Sequence, residues 1–311
     1  MTNETVVVSV VCNAFNHGKY IAQTLEGFVM QKTNFAFEVL VHDDASTDNT
    51  ADLIRQYAEQ YPDIIKPYYQ TENQYSKRVP ITRKFQYSRA VGKYIALCEG
   101  DDYWIDPYKL QKQVDAMEAH PEVDICSHRA QAVLDGKIDE IFPKAQGSDI
   151  LTADQVINGG GSFVATNSLM MRRDFIDSHY DYTKLYNLDY IIQVSGSLRG
   201  GMLFLNDVMS AYRKMAEGSW SQRSTKNVDW LAAHRKKIRD ILLQMDADTD
   251  YVHTAAIQRS LASAHLRQLA RQGDLKMILS SECRAEMKTQ PFIQKGKIIF
   301  FAAYMAVRKK K

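Results

Sequence analysis

The stretch Tyr94-Ile95-Ala96-Leu97-Cys98-Glu99-Gly100-Asp101-Asp102-Tyr103-Trp104 decides how the rest of this chain is read. Its first five residues are apolar and predict a buried strand. The strand breaks at a glycine and delivers two adjacent carboxylates, then an aromatic pair. Asp106-Pro107 predicts a helix start, with Asp as N-cap and Pro in the first turn. Both carboxylates therefore fall on a short loop at the carboxyl end of a strand, the edge where open α/β sheets bind ligands. Adjacent aspartates repel, which favours a bound cation. Hard ions such as Mg²⁺ or Mn²⁺ take oxygen ligands and share them with phosphates. Taken alone, the pair also reads as a polar turn facing solvent.

Upstream, the chain repeats strand, loop and helix. Val6 to Cys12 is almost continuously apolar, as in a strand covered on both faces. Asn13 to Gly18 is a polar loop, and Ile21, Leu25, Phe28 and Val29 then recur at helical spacing. Phe37 to Val41 predicts a second strand. The loop His42 to Thr50 offers several N-caps for a helix carrying Leu53, Ile54 and Tyr57. Ile64 to Tyr69 predicts a weaker strand. A polar stretch, Thr71 to Val79, precedes a helix ending near Ala90. The pattern predicts an α/β fold, a mostly parallel central sheet with helices on both faces. No GxGxxG or GxxxxGK[ST] follows a strand, which argues against a dinucleotide fold or a P-loop enzyme.

Downstream, Val123 to Val133 and Ile138 to Phe142 predict β segments joined at Asp135-Gly136. Gly159-Gly160-Gly161 opens a loop. Leu185 to Leu198 predicts a helix with Asp189 near its start. Met202 to Leu205 and Val208 to Tyr212 predict a short β pair around Asn206-Asp207. From about Lys226 the pattern is helical, and His265 on one apolar stripe reads as a core histidine. Residues 1–224 are read as one domain and 225–311 as a C-terminal helical region.

The bulk numbers exclude little. Of 311 residues, 45% are hydrophobic and 24% charged, ordinary for a soluble globular protein. A net charge of +2 gives no electrostatic case for nucleic-acid binding. Cys12, Cys98, Cys126 and Cys283 lack CxxC spacing and read as reduced core residues of a cytoplasmic protein. No basic segment followed by an apolar run marks a signal peptide. Ile298 to Val307 is too short to span a bilayer, which takes about 20 residues. Lys295, Lys297 and Arg308 to Lys311 flank it. A helix there reads either as packed on the protein or as lying in a membrane surface.

Four motifs, in this order, resemble the family 2 glycosyltransferases of GT-A fold: Val8-Ser9-Val10-Val11-Cys12-Asn13-Ala14-Phe15-Asn16, Asp43-Asp44-Ala45-Ser46-Thr47-Asp48-Asn49-Thr50, Glu99 to Trp104, and Leu188-Asp189 followed by Tyr212-Arg213. The likeness covers roughly residues 5 to 222. It implies an inverting, metal-dependent transferase of the hexosyl or N-acetylhexosaminyl type. The donor would be a nucleotide sugar, UDP-linked, and the acceptor a hydroxyl of a glycan or lipid-linked glycan in bacterial surface polysaccharide synthesis. By the same resemblance, Asn13 and Phe15 border the base, with Phe15 where a tyrosine usually stacks. Asp44 accepts a hydrogen bond from the base, Asp102 with Asp101 binds Mn²⁺ or Mg²⁺ at the diphosphate, and Asp189 is the catalytic base.

The chemistry fits that inventory. A diphosphate leaves well once a Lewis acid offsets its charge. What remains is one base for the acceptor hydroxyl. Outside the family, Asp44 reads as a helix cap and Asp189 as a first-turn acid favoured by the helix dipole. Arg83 and Lys84 either reach the phosphates or line a solvated helix face. Trp104 and Trp220 either line the sugar pocket or pack. By the resemblance the segment after the metal loop, here including Gly159 to Asn167, binds the acceptor; these residues read either as acceptor contacts or as a turn into a strand.

The chain departs from the family at Met215, where a histidine often follows Tyr-Arg-x. Methionine is a poor ligand for a hard cation. Either the loop is shifted, or Arg213 or Lys214 meets the phosphates, or metal binding is weaker. The alternatives are a nucleotidyltransferase, which would carry a glycine-rich basic loop after its first strand, and a non-catalytic nucleotide-sugar or glycan binding module. Whether the chain forms a homo-oligomer stays open.

Overall fold

The computed structural model describes residues 5–144, 146–147, 149–186, 188–216 and 228–308. The apolar runs become β1 (Val6–Ala14), β2 (Ala36–Asp43), β3 (Ile65–Tyr69) and β4 (Tyr94–Leu97), all parallel, in the spatial order β3-β2-β1-β4. The chain winds one way from β1 to β2 and β3, then crosses to the other side of β1 for β4. A crevice opens at the carboxyl ends where the winding reverses. The strands are apolar on both faces because both are covered: Val8, Val10, Cys12, Val39, Val41, Ile95 and Ala96 are fully buried. Helix α1 (Ile21–Val29) buries Ile21, Leu25 and Phe28, and α2 (Thr50–Gln60) buries Ile54. Each such side chain contributes about 1.5–3 kcal/mol.

The sheet continues through β5 (Tyr103–Trp104), β6 (Ile125–Leu134), β7 (Lys137–Phe142), β8 (Ile150–Leu151), β9 (Met170–Arg172) and β10 (Met202–Arg213). Strand β9 lies antiparallel between β4 and β6, β10 runs parallel to β6, and β5 pairs antiparallel with β10. The loop with the two aspartates thus leaves the sheet from β4 and re-enters it beside Ser210 and Ala211 of β10. The β6–β7 hairpin turns, as expected, at Asp135 (φ 50°) and Gly136 (φ 76°), the two left-handed positions of a type I′ turn.

Four local expectations are corrected. Met202 to Tyr212 is not a β pair but part of one twelve-residue strand, with a bulge between Leu205 and Val208. Asn206-Asp207 makes no turn because the Asn206 side chain is engaged elsewhere. It accepts from the Gln146 N–H at 2.9 Å and donates to the Gln146 carbonyl at 3.1 Å. Helix α3 (Lys109–Ala119) starts later than Asp106-Pro107 implies, with Tyr108 at its N-cap. The Asp106 carboxylate instead closes a turn by accepting the Tyr108 N–H at 2.8 Å. The helix before Ala90 is a six-residue π-helical segment, Thr82–Tyr87. From it Gln86 donates to the carbonyls of Cys12 and Leu40, both at 2.9 Å, clasping β1 to β2. Next to the triple glycine lies an unforeseen short helix, α4 (Ala153–Gly159).

Helix α5 (Asp189–Ser197) begins four residues later than Leu185, where the sequence pattern starts it: Leu188 is extended at the N-cap, which makes Asp189 the first helical residue. The C-terminal helices are α6 (Val228–Asp248), α7 (Thr254–Gln272), α8 (Leu275–Ile278), α9 (Arg284–Thr289) and α10 (Phe292–Arg308). The chain divides into two units, residues 1–156 with 161–235, and 157–160 with 236–311. In the second, Leu266, Leu269, Ala270, Ile278, Cys283, Ile298 and Ala302 form one core. His265 is not part of it: the ring is exposed, and its Nδ1 lies 2.7 Å from Glu286 Oε2. All four cysteines are free and buried. Among the described residues no helix is long and apolar enough to cross a membrane.

Candidate active site

The loops after β1 and β2 hold each other in place. The Asn16 N–H donates to Ser46 Oγ at 2.9 Å, and the Thr47 N–H returns a bond to Asn16 Oδ1 at 2.8 Å. Asp48, though exposed, accepts from the N–H groups of Gly18 and Thr50. Phe15 emerges from this clasp with 43% of its surface exposed. Asn13 points inward and donates to Thr82 Oγ1 at 3.1 Å and to Glu99 Oε1 at 3.4 Å.

Asp44 is buried but caps no helix. Its two oxygens accept the N–H groups of Gln74 (2.8 Å) and Tyr75 (2.9 Å), so it anchors the polar loop 71–79. Each oxygen keeps a further lone pair. The α2 N-cap is Asn49, without a side-chain bond.

The aspartate loop is fixed from two sides. Thr24 of α1 donates its hydroxyl to the carbonyls of Asp102 (2.6 Å) and Gly100 (3.0 Å). From β10, the Arg213 N–H donates to Asp102 Oδ1 at 2.8 Å, and its guanidinium donates to the Asp101 carbonyl and to Gln23. That guanidinium lies 4.4 Å from the Tyr103 ring centre and 5.1 Å from that of Tyr20. Trp104 packs. It is 2% exposed, meets Phe28 edge-on, and donates its N–H to the Asn167 carbonyl at 2.9 Å. A side chain at Gly27 would come within 2.9 Å of the Trp104 nitrogen, so glycine is needed for that approach. Trp220 lies outside the described residues.

Burial and the neighbouring Asp101 push the Asp102 carboxyl well up, against the pull of Arg213. Burial, then the charges of Asp189 and Asp101, push Glu99 up to about 8. Asp189 sits in the first turn of α5. Burial raises its carboxyl, and a hydrogen bond from the Thr166 hydroxyl holds it partly back. Glu99, Asp101, Asp102 and Asp189 thus form one field of negative charge at the crevice, with Asn13 Oδ1 and His17 Nδ1 buried there without hydrogen-bond partners.

That chemistry suits a divalent ion: hard oxygen donors, excess negative charge and little to offset it. Among the described residues, only His265, Cys283 and Glu286 bring three ligand atoms within 4.8 Å of one another. Asp101 and Asp102 stand as a pair, so an ion held there completes its shell with phosphate and water oxygens.

Other sequence candidates find different employment. Arg83 meets no phosphate-binding loop. It pairs with Asp177 at 2.8 Å and with buried Asp181, tying the π-helical segment to residues 177–183. Lys214 pairs with Asp139 and Glu140. Arg213 therefore occupies the aspartate loop while Lys214 faces β7, and Met215 is 46% exposed with φ 59°. Glu99, His17, Thr24 and Thr166 were not singled out from sequence. Glu99 stood inside the quoted motif. The contacts of Thr24 and Thr166 span 78 and 23 residues, which no local pattern encodes.

Known proteins give the arrangement a place. An uncharacterized protein of Mycobacterium tuberculosis (strain H37Rv) is 36% identical over 222 residues, 70% of this chain and 62% of that protein. This chain therefore spans less than two thirds of that relative's length. The UDP-Glc:alpha-D-GlcNAc-diphosphoundecaprenol beta-1,3-glucosyltransferase WfaP of Escherichia coli is 33% identical over 112 residues, 36% of this chain and 41% of WfaP. The structure of S. aureus TarS 1-349 in complex with UDP-GlcNAc superposes with a TM-score of 0.64 at 18% identity, over 98% of this chain and 92% of that one. That likeness establishes the GT-A fold. The sequence model of glycosyl transferase family 2 matches residues 9–179, more than half of the chain, including the loops after β1, β2 and β4 but not Asp189 or Arg213, and the nucleotidyltransferase alternative falls with it: the chain belongs to glycosyl transferase family 2.

Proposed function

We propose that the chain transfers a sugar from a UDP-linked donor to a hydroxyl of a lipid-linked glycan, with inversion at the anomeric carbon. The observation that carries this is that Asp101, in the loop after β4, and the raised, Thr166-bound Asp189, at the start of α5, both act by charge on Glu99, which supports one site shared by the aspartate loop and that base. In this reading, Asn13 and the exposed Phe15 border the base, and the free lone pairs of Asp44 receive its ring N–H. Asp102 and Asp101 would hold Mn²⁺ or Mg²⁺, which offsets the charge of the departing diphosphate.

Asp189 takes the proton from the acceptor hydroxyl as that oxygen attacks the sugar carbon. Its raised affinity for a proton makes it a better base than an ordinary aspartate, and the Thr166 hydroxyl fixes its orientation. Arg213 braces the aspartate loop from β10. Attack from the face opposite the diphosphate inverts the centre. WfaP, whose name describes glucosyl transfer to a diphosphoundecaprenol-linked sugar, supports a lipid-linked acceptor; with such an acceptor goes our reading that the chain works at the cytoplasmic face of the membrane. The domain limits 1–224 and 225–311 are kept as part of this reading, the first carrying the chemistry.

Incubation with a panel of UDP-sugars and Mn²⁺ tests it. Slow UDP release that accelerates with an acceptor is the expected result. Tight UDP-sugar binding with no turnover on any acceptor sinks the catalytic reading in favour of a binding module.

A further inference from the structure

Helix α10 wears its apolar residues on the wrong side. Ile298 and Ala302 face the core of the second unit and are 3% and 0% exposed. At 3.6 residues per turn, Ile293, Phe300, Tyr304 and Val307 fall on a line opposite them. These four are 72%, 76%, 53% and 61% exposed, with Phe292 and Phe301 at the flanks. An ordinary surface helix keeps this face polar. Here aromatic and branched side chains point away from the core over about four turns, and an exposed apolar patch of that kind marks an interaction site.

The charge says what covers it. Between Phe292 and Arg308 the helix carries Lys295, Lys297 and Arg308 and no acidic residue, and the sequence continues with Lys309 to Lys311. Lys297 and Arg308 are exposed and lie along one edge of the apolar line. A protein partner would need acidic groups set to match. An anionic lipid surface supplies both the negative layer and the apolar depth beneath it. At 17 residues the helix is too short to cross a bilayer. We propose that α10 lies in the surface of an anionic membrane, with Ile293, Phe300, Tyr304 and Val307 inserted and Lys297 and Arg308 at the headgroups. This goes beyond the transferase reading and does not depend on it.

Flotation of the full chain with phosphatidylcholine vesicles, with and without phosphatidylglycerol, tests the proposal. The chain should float with the anionic vesicles at low salt and much less at high salt. Each basic residue near such a surface changes partitioning by about five-fold. Lys297→Glu with Arg308→Glu should therefore lower binding by at least about 25-fold. The triple variant Ile293→Ser, Phe300→Ser, Tyr304→Ser should stay in the soluble fraction with an unchanged melting temperature, since all three side chains are already exposed. UDP release with a water-soluble acceptor, measured on the same variant, should not change, which separates this proposal from the catalytic one. A full chain that ignores anionic vesicles overturns it, as does a triple variant that floats like the parent. A chain that is dimeric by light scattering and becomes monomeric in the triple variant assigns the face to a second copy instead, and overturns it too.

Discussion

Two sets of acidic side chains lie in the first unit, and they are treated in opposite ways. Asp181 is fully buried and surrounded by donors. It accepts from the Arg83 guanidinium, from the Asp177 N–H at 2.8 Å, and from both the N–H and the hydroxyl of Thr183. Among the described residues Glu99 is hydrogen-bonded by Asn13, whose side-chain amide lies at 3.4 Å, and it faces the charges of Asp189 and Asp101. A buried carboxylate with all its donors supplied by the chain is a structural joint. One kept short of donors beside others of its sign is costly unless something else arrives. Arg83, which from sequence competed for the phosphates, belongs to the first set. The second set is left for a ligand.

The sharpest break in this contrast comes from Asp102→Asn. The amide oxygen can still accept the Arg213 N–H, so the loop should stay folded. Transfer should fall by at least about 10³, on the scale of removing metal assistance. Isothermal titration should show that the Mn²⁺-dependent part of UDP binding has gone. Metal-dependent UDP affinity equal to that of the parent would put the ion elsewhere.

The structural set responds differently. Asp181→Ala leaves Arg83 with Asp177 and takes the acceptor from the N–H groups of Asp177 and Thr183, and should cost about 1–3 kcal/mol of stability, the usual penalty for stranded donors. The shift is read as a lower denaturant midpoint. Transfer per folded molecule should hold. If stability barely moves while transfer collapses, the two sets have been assigned the wrong way round.

Asp189→Asn sharpens the second set. Donor affinity should stay near that of the parent while transfer drops by roughly 10², the scale of general-base catalysis. The pH profile supplies the sign. A base acts only when deprotonated, so parent activity is lost as pH falls through the Asp189 pKa, which burial places above the ordinary aspartate value. The variant should lack that acid limb. A retained limb would move the base to another group.

Much of this was legible in the sequence, and the reasons differ by element. Strands β1, β2 and β4 are covered on both faces, so their apolar runs announce them without any alternation. The aspartate pair could be named because it stands at a strand end; Asp189 was named through the family resemblance, since its place at a helix start alone reads as a first-turn acid. What failed was local chemistry overruled by distant partners. Asn206-Asp207 has the composition of a turn, yet Gln146 engages its asparagine and the strand runs on. Trp104 had two readings until Gly27 and Phe28 were seen against it. His265 had the spacing of a core residue, and Glu286 holds it at the surface. Sequence alone also had no means of seeing that Asp44 anchors the 71–79 loop, because the two backbone donors lie 30 and 31 residues away.

The last prediction concerns the cationic counterpart of the acidic crevice. Lys109 is fully buried with no carboxylate partner. Its Nζ donates to Gln113 Oε1 at 2.6 Å and lies 4.0 Å from the Trp104 ring centre. Burial lowers its pKa to about 7, and the nearby thiols Cys98 and Cys126 recover only part of the shift. In the unfolded chain an ordinary lysine titrates near about 10.4. Between these two values the unfolded chain binds a proton that the folded one does not. Stability therefore rises with pH across that window, as the cost of stripping the Lys109 proton on folding fades. Thermal denaturation of the parent and of Lys109→Met from pH 7 upward isolates the effect: the parent should gain relative to the variant as pH increases. Parallel curves would mean that the Lys109 proton stays on, with Gln113 and the Trp104 ring sufficing to hold a buried charge.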